Sequence, residues 1–404
     1  MNKDNISALV TALAVISLII GFGIYFNFYG NASHSYLQQQ QLEKSVDQSI
    51  TKKGDILTVS LNKTAFVSID KSGFLKAPDL TGIDYYINTM NNQPIKLSDL
   101  KGKVVLLDFW TYTCINCIRT IPYLNDWYAR YADQGFVIVG VHSPEFDFEK
   151  DPKNVQNAVN KFDISYPVVL DSEHKTWDAF NNNYWPRHYL IDTQGYIRDD
   201  HIGEGGYNET EKTIQTLLAE KATLEGKKEI SFNLSKSNLE NVTANSLTYV
   251  DLNQRISPEI YLGYSSARSS LGNTEGFRPD QQVDYKIKLN NTQIQPNLVY
   301  LNGTWKNNAD NIELVSNAGK IILTYYAKSI NVVASGEGQQ IKISEDNKFA
   351  NNTSNNAIDI DKEAKVIVDN QRLYNIGLYD DYEPRSIVMD IKGKGLQIYT
   401  FTFG

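Results

Sequence analysis

The sequence predicts an α/β layered domain followed by an all-β jelly-roll-like sandwich, with a single apolar helix of membrane-spanning length in front. Three observations carry this expectation. Strand-like and helix-like stretches alternate over residues 77–228, the order expected of a central sheet flanked by helices. After residue 230 the helical period disappears, and short segments alternate apolar and polar residues between turns rich in Asn, Gly and Asp. Residues 6–29 carry no charge, and a bilayer takes about 20 apolar residues to cross.

Taken in order, residues 6–29 read as a retained anchor, longer than the apolar core of about 7 to 15 residues usual in a cleaved signal. Everything after them then lies on one side, which places a short N-terminus inside the cell membrane and both large domains outside it. Residues 31–54 are polar, with four glutamines in a row from Gln38 to Gln41, and read as a spacer with some helix. Residues 55–70 alternate as a short hairpin would. Val104–Trp110 and Phe136–His142 are apolar strands. Asp151 and Pro152 open a helix as N-cap and first-turn proline. Residues 188–192 and 196–202 flank a turn at Gly195, and residues 209–225 form an amphipathic helix stopped by Gly226. Parallel crossovers followed by a hairpin and a helix make an α/β domain of about 150 residues. Beyond it, residues 259–264, 283–289, 320–326, 340–343, 365–368, 386–391 and 396–403 read as short strands of a sandwich.

Composition narrows the function. Two cysteines in 404 residues exclude a disulfide-dense scaffold and a multi-cysteine metal site. A net charge of −8 argues against nucleic acid, whose phosphates demand a basic face. His34, His142, His174, His188 and His201 show no ligand-like spacing, so no metal is expected.

The two cysteines, Cys114 and Cys117, sit on the turn between the strand Val104–Trp110 and a helical stretch over residues 118–131. A helix N-terminus stabilises a thiolate, and the thiolate is the species that attacks a disulfide. Two intervening residues put Cys117 one turn behind Cys114, close enough to resolve a mixed disulfide. Cys114 is then the exposed nucleophile and Cys117 its buried partner. A purely structural disulfide is the other reading, disfavoured because so short a loop gains little from closure.

The run from Lys101 to Arg119, KGKVVLLDFWTYTCINCIR, resembles the thioredoxin fold, and within it the TlpA-like group typified by the extracytoplasmic part of DipZ proteins. Residues 82–89, 141–146 and 399–404 are similar to the same subgroup, and the resemblance runs from about residue 78 to the C-terminus. It implies a thioredoxin-like redox domain, over 74–228, and a carbohydrate-binding-module-like β-sandwich, over 229–404, preceded by the anchor or uncleaved signal over 1–30 and the linker and hairpin over 31–73 that the apolar and alternating stretches suggest. It also implies roles. Asp108 falls where thioredoxins keep a buried carboxylate that relays a proton to the resolving thiol. Pro122 matches a proline that kinks the active-site helix. Pro186 matches a cis-proline facing the disulfide, with the backbone of Trp185 left free for an extended substrate. Glu145 aligns with a glutamate that tunes the thiols, and His142 beside it reads as a strand-end residue. Thr113 departs from the tryptophan usual before the first cysteine, so Trp110, Tyr112 and Trp185 are expected to supply an aromatic rim instead.

The expected function is disulfide reduction in client proteins, with no cofactor beyond the Cys114–Cys117 pair. Since the chain lacks the multi-span electron-importing domain of full-length DipZ, its electrons are expected from a separate membrane donor of the CcdA/DsbD type. A disulfide-donating oxidase, a peroxidase and a surface binding protein are the alternatives. For the last, Tyr261, Tyr264, Tyr300, Trp305, Tyr325 and Tyr326 would form a sugar-stacking platform. Residues 257–264 resemble a motif of the subgroup and read as an anchor between the domains.

Overall fold

The structure, a computed structural model, describes residues 35–404 apart from 47–48, 62–68, 237–238, 240–249, 252, 288–293, 346–347 and 350–355. The apolar segment over 6–29 lies outside the described residues. Among the described residues no helix is long and apolar enough to cross a membrane.

Residues 35–46 form helix α1, which buries Ser35, Gln39, Leu42 and Val46 at helical spacing. The Gln39 amide accepts from Arg198 Nε at 2.9 Å and donates to the Arg198 carbonyl at 3.0 Å. Arg198 is itself fully buried, 3.1 Å from Asp192 and 2.9 Å from Glu220. The expected spacer is thus docked on the α/β domain, through a face in which two of the four buried residues are polar. The hairpin starts earlier than its alternation suggests: β1 (Ile50–Lys53) and β2 (Ile56–Ser60) pair around Gly54, whose φ of +58° suits a tight turn.

Six strands build the central sheet in the order β3-β6-β5-β4-β7-β8: β3 (Tyr85–Ile87), β4 (Val104–Trp110), β5 (Phe136–His142), β6 (Val168–Leu170), β7 (Arg187–Ile191) and β8 (Ile197–Ile202). β4, β5 and β6 are parallel, and the other three strands run antiparallel to their neighbours. Helices α2 (Ile115–Tyr131), α3 (Pro152–Lys161), α4 (Lys175–Ala179) and α5 (Tyr207–Leu224) complete a thioredoxin-like fold. Asp151 caps α3 by accepting from Lys153 N, with Pro152 in the first turn as its sequence implies. Every residue of β4 is buried. Its side chains alternate between two cores, with Val104, Leu106 and Trp110 packed on one face together with α2, and Val105, Leu107 and Phe109 on the other. Asp108 therefore lies on the face covered by α2.

The expected division at 228/229 falls just before β9 (Glu229–Asn233), which pairs with β2 rather than with any strand that follows it. Phe232 of β9 is fully buried, its ring edge-on to Tyr131 of α2 at 5.1 Å.

The remaining strands are β10 (Ile260–Tyr261), β11 (Gln282–Tyr285), β12 (Val299–Asn307), β13 (Ile312–Leu314), β14 (Ala318–Ser335), β15 (Gln339–Glu345), β16 (Lys348–Phe349), β17 (Lys365–Val368), β18 (Arg372–Lys392) and β19 (Gln397–Phe403). They form one hydrogen-bonded sheet of ten strands, so the jelly-roll sandwich of two separate sheets is corrected to a barrel-like all-β region. The cause is length. β14 pairs with β12 over its first half, with β19 over its second, and with β18 along most of its course, passing register shifts near Ser329. A strand that bends at such irregularities carries hydrogen bonding from one layer into the next. Of the six aromatic residues that the surface-binding alternative would use, Tyr261, Tyr300, Trp305 and Tyr325 are buried, which leaves only Tyr264 and Tyr326 partly accessible.

Candidate active site

β4 delivers the chain to the turn Thr111–Thr113, and Cys114 caps α2: its Sγ accepts the Cys117 N–H at 3.2 Å. Cys114 and Cys117 are disulfide-bonded with their Cα atoms 5.2 Å apart. Cys114 is half-exposed and Cys117 is buried, the asymmetry a nucleophile and a resolving thiol require. The free amides of the first helical turn favour negative charge on Cys114.

Three residues expected near the pair lie on its supporting elements. Asp108 is buried on β4 beneath α2, its Oδ1 3.2 Å from His188 Nε2. Pro122 sits within α2. The Trp185–Pro186 peptide bond is cis. Pro186 is buried and its carbonyl accepts from Gly203 N at 2.9 Å. Trp185 is half-buried, with its Nε1 donating to the Ser143 carbonyl at 3.1 Å and its ring 4.3 Å from that of Trp177. Among the described residues the backbone N–H and C=O of Trp185 make no hydrogen bond.

The expected aromatic rim is corrected in two of its three members. Trp110 is fully buried with its ring edge-on to His142 at 5.2 Å, because strand alternation turns it into the core beneath α2. Tyr112 is buried as well, with its hydroxyl donating to the Gln371 carbonyl of the C-terminal region at 3.2 Å. His142 is stacked on Tyr112 and held neutral, its pKa lowered to about 3 by burial.

Glu145 meets the C-terminal region. Its carboxyl lies 2.6 Å from the Tyr261 hydroxyl of β10, and burial pushes its pKa up to about 8 against the opposing effect of that hydrogen bond. Its link to the cysteines runs through Glu149, one acid in the acid-rich run from Glu145 to Asp151 that nothing in the sequence singles out. Glu149 is fully buried; one carboxylate oxygen accepts from Thr113 Oγ1 at 2.6 Å, and the other from the amides of Glu145 at 2.6 Å and Phe146 at 3.0 Å. It thereby fastens the residue before Cys114 to the loop after β5. Burial raises its pKa, opposed by the Thr113 hydroxyl. The aromatic residues spaced through that run, Phe146 and Phe148, were the available signal: both rings pack against Tyr399 of β19, at 5.0 and 4.8 Å.

A cavity of about 1100 Å³ opens along α2, between α3 and the C-terminal region. Ile115, Ile118 and Pro122 form its wall on the cysteine-bearing helix, and Ile358, Gln371 and Leu373 face them. Tyr261, Val333, Leu373 and Tyr399 belong to the same buried cluster as Cys117 and α2, so the β region is packed into the core behind the cysteine pair.

Residues 75–200 match the AhpC/TSA family, and residues 257–404 match the family described as thioredoxin like C-terminal domain. Protein DipZ of Mycobacterium bovis is 35% identical over 331 residues, which cover 81% of this chain and 43% of DipZ. The chain thus spans less than half the length of that relative. The thiol-disulfide oxidoreductase YkuV of Bacillus subtilis is 32% identical over 143 residues, 35% of this chain and 94% of YkuV. A solution structure of a thioredoxin-like protein in the oxidised form shares 31% identity over 36% of this chain and 97% of its own, with a TM-score of 0.34.

Proposed function

The chain belongs to the thiol-disulfide oxidoreductases of the TlpA/DipZ type, and from that premise we propose that it reduces disulfides in client proteins, held by its apolar N-terminal segment on the outer face of the cell membrane. Cys114 attacks the client disulfide and Cys117 resolves the mixed disulfide, giving its proton to Asp108. The cysteine pair is the only redox group the reaction needs. Electrons arrive from a separate membrane dithiol donor of the CcdA/DsbD type.

The observation that carries this reading is the asymmetry of the pair at the head of α2, Cys114 half-exposed with an amide on its sulfur and Cys117 buried. The unpaired backbone of Trp185 beside the cis bond offers hydrogen bonds to an extended client strand. The neighbouring cavity takes the client's flanking residues, and the β region serves as one wall of that site.

The test is covalent trapping. In the full chain Cys117→Ser accumulates a mixed disulfide with its client, and Cys114→Ser forms none and loses dithiol-dependent reduction. Full activity in Cys114→Ser sinks the reading. The redox potential fixes the direction: a value near thioredoxin's, about −270 mV, belongs to a reductase, and one near about −120 mV to an oxidase.

A further inference from the structure

Asp108, His188 and His201 stand in one cross-strand row. Asp108 faces His188 across β4 and β7, and His188 faces His201 across β7 and β8. Residues directly opposite one another share a face of the sheet, here the face beneath α2. Asp108 Oδ1 lies 3.2 Å from His188 Nε2, within ion-pair reach though off the line of a hydrogen bond. The rings of His188 and His201 are stacked 20° from parallel, with centroids 6.1 Å apart. The row therefore runs from a buried carboxyl to a half-buried imidazole near the domain surface.

Along the row, Asp108 Oδ1, both ring nitrogens of His188, His201 Nε2 and the neighbouring Tyr166 hydroxyl are buried with no hydrogen-bond partner among the described residues. Buried polar atoms are overwhelmingly paired, so a concentration of exceptions calls for a reason. A group that must alternately take and release a proton is poorly served by fixed bonds that satisfy only one of its states. Gly140, opposite Asp108 on β5, keeps the site roomy: a Cβ there would stand 3.0 Å from Trp110 Nε1 and 3.3 Å from the Tyr166 ring.

We propose that His188 and His201 form the proton route between Asp108 and solvent, with His188 a positioning residue that makes Asp108 an effective base for Cys117. The proposal rests on the function argued above. In the reductive step the Cys114 thiolate attacks a client sulfur; the Cys114–client bond forms, the client disulfide breaks, and one client thiolate leaves. Cys117 then loses its proton to Asp108 and attacks Cys114 Sγ. The Cys114–Cys117 bond forms, the mixed disulfide breaks, and the second client thiolate leaves. Two electrons have passed to the client, whose thiolates take protons from solvent. A carboxylate is ordinarily a far weaker base than a thiolate, and imidazole lies between them. Moving the proton onward therefore draws the transfer forward: His188 accepts it on Nε2 and releases one from Nδ1 toward His201.

The charged and titratable groups facing this row are Tyr166 beside Asp108, Asp199 on β8, and Arg119 of α2 with Glu204 in the loop after β8, while Asp200 is turned to the other face and paired with Arg187. Arg119 lies 3.6 Å from Glu204, so that pair adds no net charge. Burial, and then His188 beside it, lower the His201 pKa, which keeps that ring neutral and ready to accept at pH 7.

The experiment mixes the reduced full chain with a fluorescent disulfide-containing peptide, and follows formation and resolution of the mixed disulfide separately between pH 5.5 and 8.5. His188→Gln is expected to slow resolution about 10²-fold, at the low end of general acid–base effects. Formation should be unchanged, added imidazole should restore part of the loss, and the pH profile of resolution should shift. His201→Gln, at a half-exposed site that tolerates replacement, slows the same phase less. The double variant Asp108→Asn/His188→Gln is no slower than Asp108→Asn. If Asp108→Asn slows resolution while both histidine variants match the parent, the route is overturned and the proposed function stands. Equal slowing of both phases by His188→Gln marks a structural role and overturns it too. A parent chain that forms no mixed disulfide overturns the function and the route together.

Discussion

The Tyr261 hydroxyl lies 2.6 Å from the Glu145 carboxyl and 3.2 Å from that of Glu259, so one phenol stands between two acids across the contact of the two domains. A hydroxyl has a single proton to donate. Tyr261 gives that proton to Glu145, its nearer partner, a bond that favours the ionised carboxyl, while burial outweighs it and pushes the Glu145 pKa up to about 8. Burial at this contact, against the pull of the Tyr261 bond, favours the neutral form of an acid of the redox domain.

This gives stability a pH dependence of definite sign. The folded Glu145 binds a proton up to about pH 8, whereas an unfolded glutamate releases it near about 4.3. Between those values the native state carries the extra proton, so this site's contribution to stability falls as pH rises. Glu145→Gln cannot ionise, and should gain on the parent chain as pH goes from 5 to 8. Chemical denaturation at a series of pH values checks this; parallel stability curves refute it.

Thr113→Val removes a hydroxyl that bonds the buried Glu149 carboxylate, leaving the Thr111 hydroxyl as its side-chain donor. The expected cost is about 1–3 kcal/mol in urea unfolding. The Glu149 pKa should rise further, because the Thr113 hydroxyl opposes the effect of burial.

Gly140→Ala introduces a methyl 3.0 Å from Trp110 Nε1 and 3.3 Å from Tyr166 and Val168. These neighbours are fully buried, so overpacking should cost about 1–3 kcal/mol, read as a lowered denaturation midpoint.

Ile358→Glu tests the cavity. The side chain is 56% exposed yet lines the cavity opposite α2, so the substitution should leave folding intact. KM for a protein disulfide is expected to rise about tenfold, the size of one lost apolar contact. Turnover of a small-molecule disulfide should not change. Equal effects on both substrates would remove the cavity from client binding.

What the sequence disclosed and what it withheld follow from range. β4 and β5 were readable to the residue because buried parallel strands leave nearly continuous apolar runs, and the Asp151 cap because its signal is local. The cysteine turn was readable for the same reason. His188 was visible as a strand residue, but its place opposite Asp108 depends on the register of β4 with β7, which no local pattern encodes. Glu149 was hidden because an acid in an acidic run carries no mark of the face it turns inward. Trp110 shows the reverse error: an aromatic residue near the cysteines suggests a contact surface, yet strand parity decided its direction.

The pairing of β9 with β2 bears on how the molecule can be divided. A chain cut at residue 228 keeps both cysteines, Asp108 and the cis peptide bond, but strips β2 of its outer neighbour and bares the Tyr131 ring that Phe232 covers. An open strand edge beside an uncovered apolar surface recruits strands from other molecules. Such a fragment would precipitate for reasons unrelated to its thiol chemistry, whereas one ending after Asn233 keeps the seam closed. The ends of the redox domain are tied by a strand from each side, so its first and last segments form one sheet and must be kept together.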